Sequence, residues 1–196
     1  MSLDLDSSNN NNKKVFKKVE EGSHIAIPVQ IIDFGNQLKT DWQSGEAVLN
    51  DKGEEVIQHR VWITSEFPEQ TDTFEDVEKP LWLGKEYTVS THEKANLVEL
   101  IKATNSKAKN LGEIIGVPYT ATVGLTSGGN PKITACTPCA NKLVMNDEMV
   151  TKEDIKLFND PVVYSLEDGH NEVYTSLPDW MKEKIDNQAD ELKPTF

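Results

Sequence analysis

The sequence predicts a mainly β fold, a five-stranded barrel with one helix and an acidic helical extension, and three observations support it. Five segments alternate apolar and polar residues with the two-residue period of a strand. One segment between the third and fourth of these has apolar residues at helical spacing. The tract after residue 142 breaks both patterns and is rich in carboxylates. Three strands, one helix and two more strands is the order of the Greek-key barrel called the OB-fold.

Residues 1–12 are polar and of low complexity, so they are expected to be disordered. Lys13, Lys14, Lys17 and Lys18 surround Phe16 and read either as a soluble lead-in or as phosphate contacts. In the first strand, Ser23–Phe34, Ile25, Ile27, Val29 and Ile31 alternate and mark one buried face. Pro28 has no N–H, which places it at an edge or a bend. Residues 35–56 form a long polar loop around Trp42, and loops of that length are usually functional or disordered.

The second strand, Ile57–Phe67, puts Val61, Ile63 and Phe67 inward and Arg60, Trp62 and Thr64 outward. Trp62 there either offers its ring to a base or packs beneath the long loop, and Arg60 is the chain's single arginine. Residues 68–80 read as an acidic loop. The third strand, Leu81–Val89, carries Trp82, Lys85 and Tyr87, and Gly84 predicts a bulge that switches Trp82 relative to Tyr87. Ser90 and Glu93 form a capping-box pattern for a helix from Thr91 to about Ala103. Leu111 to Ile115 adds a short closing turn. Val117–Leu125 and Lys132–Cys136 are the last two strands, joined by the turn tract Ser127 to Pro131. Lys132 at the exit of that turn is a candidate phosphate contact.

Three units follow: the lead 1–12, a barrel over 13–142 and an acidic extension over 143–196. Asp147–Phe158 reads as a weak acidic helix, Pro161–Tyr164 as a short extended piece, and 178–190 as a helix opened by Pro178. Trp180 on that helix packs on the barrel or meets a protein partner.

The net charge of −13 argues against a protein that simply coats nucleic acid through phosphate neutralisation. Its distribution matters more. Residues 13–142 carry 15 Lys+Arg against 18 Asp+Glu, whereas residues 143–196 carry 5 against 13. A nearly neutral body with an acidic end leaves a binding surface possible. No apolar run nears the roughly 20 residues that span a bilayer, so no membrane partner and a cytoplasmic location are expected.

Cys136 and Cys139 form a C-x-x-C spacing, but no second ligand pair accompanies them and they end a hairpin rather than open a helix. No phosphate loop, nucleophile elbow or zinc-protease motif is present. The chain is therefore read as a non-enzyme without cofactor or metal.

The run from Lys85 to Leu97, with His92-Glu93-Lys94-Ala95-Asn96-Leu97 opening the helix, resembles single-stranded DNA-binding proteins of tailed bacteriophages. The likeness extends to Lys17–Gly22, Leu111–Pro118 and Leu177–Ile185, about half the chain. It implies an OB-type barrel serving replication or recombination, binding single-stranded DNA without strong sequence preference. Trp62, Trp82 and Trp42 would stack bases, while Arg60, Lys85 and Lys132 would meet phosphates. The end of the chain, Asp190 to Phe196, is similar to the acidic tails by which such proteins recruit replication or recombination partners, with Phe196 as the contact. The alternative is a protein adaptor built on the same barrel and acidic end.

Overall fold

The computed structural model describes residues 17–41, 43–145 and 147–189. The strands are β1 (Gly22–Leu38), β2 (Ile57–Phe74), β3 (Val77–Thr88), β4 (Tyr119–Leu125), β5 (Pro131–Pro138), β6 (Lys142–Met145), β7 (Glu148–Thr151) and β8 (Val162–Tyr164). The helices are α1 (Asn96–Thr104), α2 (Glu172–Ser176) and α3 (Asp179–Asp186). The main sheet has the order β3-β2-β1-β4-β5, and β8 joins β1 in parallel. β6 and β7 form a separate hairpin.

β1 is long enough to serve three neighbours. Gly22–Ala26 pair with β4, Ile27–Leu38 pair with β2, and Gln30–Ile32 take β8. The sheet curls around one core in which Ile31, Val61, Ile63, Phe67 and Tyr87 meet Leu100 of α1 and Val123 and Ile133 of β4 and β5. Tyr119 closes this core; its phenol is 3.0 Å from Ser65 Oγ, which satisfies two buried hydroxyls at once.

The expected closed barrel does not form. β3 and β5 lie at opposite ends of the strand order and do not pair among the described residues. The reason is visible in how β5 satisfies its backbone. Lys85 Nζ donates to the Ile133 carbonyl at 3.0 Å, and the Cys136 N–H donates to Glu99 of α1 at 3.2 Å. Side chains from β3 and α1 take bonds that a β3–β5 ladder would supply.

Several element boundaries also move. The supposed loop 68–80 is mostly strand, since β2 and β3 continue to a two-residue turn at Glu75 and Asp76, both at positive φ. A register break between Phe67 and Thr71 absorbs the extra residues. The helix starts at Asn96, with Ala95 as its cap residue and no side-chain cap. Ser90 instead accepts from the His92 N–H at 3.2 Å, so its hydroxyl is spent in the loop before the helix. In place of a helix over 147–158 there is β7 and a 3-10 turn, Lys152–Asp154, closed by Thr151 and Asp154. Residues 39–56 are not irregular throughout, because isolated bridges join Thr40 to Ala47 and Leu49 to Glu55.

The C-terminal segment covers the opposite face of the sheet. Ile32 and Phe34 of β1 pack with Tyr164, Leu177, Met181 and Ile185 in a second core. Ile25 and Ile27 pack with Cys139 and Ile155 in a third. The register shift at Pro28/Gln30 places Ile25 and Ile27 in a different layer from Ile31, so their regular alternation does not mark one face. Tyr174 links α2 to α3 by donating to Asp186 at 2.8 Å. Among the described residues no helix is long and apolar enough to cross a membrane.

Candidate nucleic-acid interface

Strand alternation sorts the singled-out residues. On β2, Arg60, Trp62, Thr64 and Glu66 face away from the main core, opposite Thr88, Glu86, Gly84 and Trp82 of β3. These eight positions form one outward surface. The register of β3 is regular from Leu81 to Thr88, so no bulge occurs at Gly84. Simple alternation already separates Trp82 from Tyr87. Gly84 is needed for another reason: a Cβ there would stand 2.2 Å from the Trp62 ring. The indole lies directly on the glycine backbone.

Trp62 is half-buried. Its ring meets Trp180 edge-to-face at 5.1 Å between centroids, and Phe34 lies 6.5 Å away. Its Nε1–H donates to Thr64 Oγ at 3.0 Å, and Thr64 donates to Gln30 at 2.9 Å. The choice left open by the sequence is thus resolved in part: Trp62 packs, but beneath α3 rather than beneath the 35–56 loop. Trp180, expected to pack or to meet a partner, is brought onto the same surface and remains 43% exposed. Trp82 is the most open of the three at 52%. It lies two residues from Gly84 on one strand face, about 7 Å along β3. A row of indoles therefore runs Trp180, Trp62, Trp82, open at both ends and sealed in the middle.

The cations are arranged differently from expectation. Arg60 Nη1 pairs with Glu86 at 3.3 Å and its Nη2 donates to Gln58 at 2.6 Å. Lys184 of α3 takes the other oxygen of Glu86, which ties α3 to the sheet. Lys85 points to the opposite side, into the β3–β5 seam. Burial holds its pKa below the usual lysine range, and the like charge of Lys132 adds to that. Lys85 is thereby withdrawn from the outward surface. Lys132 is exposed at the start of β5. Trp42 and Phe196 lie outside the described residues.

Sequence reasoning missed Glu66, which is fully buried on the outward side. Its carboxylate accepts from the Phe158 N–H at 2.6 Å and from Asn159 through the backbone N–H at 3.3 Å and Nδ2 at 2.8 Å. This anchor fixes the start of the C-terminal cover and leaves Phe158 exposed beside a cleft of about 380 Å³ lined by Pro68, Pro80 and Lys156. Nothing in the sequence around Glu66 marks it, because its donors lie more than ninety residues away.

The two cysteines belong to different cores, Cys136 to the first and Cys139 to the third. Residues three apart on an extended chain face opposite ways, so their thiols do not converge on one ion. Burial pushes the Cys136 thiol up to about 11. Among the described residues no group of three or more His, Cys, Asp or Glu side chains is placed to hold a metal.

No family model matches the chain, and neither a curated protein nor a solved structure is significantly similar to it.

Proposed function

We propose that this chain binds single-stranded DNA, with little sequence preference, on the outward surface of β2 and β3, in the service of phage replication or recombination. The observation that carries the reading is the indole row, in which Trp82 and Trp180 stay open to solvent on either side of Trp62. Exposed rings on a strand face stack bases at roughly 1–3 kcal/mol each and tolerate any base. The strand order supports an OB-type barrel opened along its β3–β5 seam, with α1 between β3 and β4 as such a barrel requires. The phage family resemblance points the same way.

The test is a fluorescence titration with oligo-dT and with duplex DNA of equal length at two salt concentrations. Quenching by the single strand alone, weakened at high salt, supports the reading. No binding of either DNA at low salt removes it.

The adaptor reading draws on one feature of its own. Val144 and Met149 face each other across the β6–β7 hairpin and are 66% and 73% exposed. A protein adaptor would show no oligonucleotide affinity even at low ionic strength, so the same titration separates the two.

A further inference from the structure

The outward surface ends on its Arg60 side in a polar cavity of about 300 Å³, lined among others by Arg60, Glu86, Thr88, Lys94 and Asn96. We propose that this cavity receives a backbone phosphate of the bound strand, an inference that rests on the single-strand reading above.

Three features of the cavity favour an anion. First, Arg60 has a fork of donors of which Nη1 and Nη2 are engaged, while its buried Nε–H has no partner among the described residues. A buried donor without an acceptor is costly, and an anion in the cavity that Arg60 lines would supply one once the guanidinium turns toward it. Second, the charges are unbalanced toward the positive. Among the residues lining the cavity, Arg60 and Lys94 stand with a single carboxylate, Glu86, whose two oxygens are already shared by Arg60 and Lys184. The ammonium of Lys94 is exposed and has no partner among the described residues, while Glu99 is turned toward β5 by its bond to the Cys136 N–H. Third, the first turn of α1 opens at this wall without a side-chain cap, which adds outward N–H groups to the two cations.

The placement fits a strand lying on the indoles. Arg60 and Trp62 are two residues apart on one strand face, about 7 Å. A nucleotide stacked on Trp180, which packs against Trp62, therefore has its backbone within reach of the cavity.

The experiment uses the full chain in two arms. In the first, inorganic phosphate is titrated while amide and Arg60 Nε–H resonances are followed by NMR. The expected result is a shift at Asn96, Leu97 and Arg60 Nε that is lost in Lys94→Ala and kept in Lys94→Arg. In the second, oligo-dT affinity is measured between 50 and 200 mM salt. Lys94→Ala should lower the log–log salt slope by about one, so that its deficit shrinks roughly threefold across that range. An unchanged slope in Lys94→Ala, with the wild-type chain binding DNA normally, overturns the phosphate subsite and leaves the single-strand reading intact. Phosphate shifts without any oligonucleotide binding support anion recognition by the cavity and sink the single-strand reading instead.

Discussion

Trp62 and Trp82 stand on the same sheet surface, on adjacent strands, yet one is sealed and the other is open. Trp62 rests on Gly84 and is roofed by Trp180 and Phe34, so its ring area stabilises the attachment of α3. Trp82 has half its surface in water. The difference is made by the C-terminal segment, which covers the β1 side of the surface through β8 and α3 and leaves much of the β3 side bare. Residue type and face do not decide whether an aromatic is structural or available. What a distant part of the chain lays over it does.

Four substitutions break or sharpen that contrast. Trp62→Ala should have the largest effect, about 3–5 kcal/mol of stability, because it removes a ring wedged between sheet and helix; urea unfolding measures it. Glu66→Ala leaves three N–H donors around Phe158 and Asn159 without their acceptor and should cost about 2–3 kcal/mol. Hydrogen exchange should then show residues 156–164 opening before the main sheet. Gly84→Ala forces the Trp62 ring to move and should cost about 1–3 kcal/mol, with a change in Trp62 fluorescence. Trp82→Ala should alter stability by no more than about 0.5 kcal/mol, while weakening oligo-dT binding about tenfold. If Trp82→Ala unfolds the chain, or Trp62→Ala does not destabilise it, the contrast is wrong.

The thiols test the inner layer. A shift from 9.0 to about 11 leaves Cys136 with roughly a hundredfold less thiolate at pH 8. Alkylation of native Cys136 should be slower than in the denatured chain by at least that factor, and an equal rate would place it at the surface.

Much of the main sheet was legible because its apolar residues alternate locally. Val61, Ile63 and Phe67 fell inward and Arg60 and Trp62 outward, as expected. The arm from Thr71 to Pro80 was not legible, since a hairpin exposed on both faces needs no alternation and its carboxylates look like a loop. The start of α1 was misread because Ser90 makes a local bond that competes with capping. In the C-terminal segment the extended piece at Pro161–Tyr164 and the helix opened by Pro178 were legible, but the face of the sheet they cover was not. Tyr164, Leu177, Met181 and Ile185 are scattered in sequence, and the surface that buries them is made by Ile32 and Phe34 far upstream. The site shared that limit: Trp180 was recognised as an apolar anchor, but its contact with Trp62 crosses more than a hundred residues. Lys85 looked like an available cation until the seam claimed it.

The most direct test follows the indole Nε1–H resonances of Trp62, Trp82 and Trp180 by NMR during an oligo-dT titration at low salt. The expected result is a large, saturable shift at Trp82 and a smaller one at Trp180, with Trp62 little changed and still bonded to Thr64. A saturable response confined to Trp62, or none at any of the three, would contradict a single-strand surface on the open side of β3.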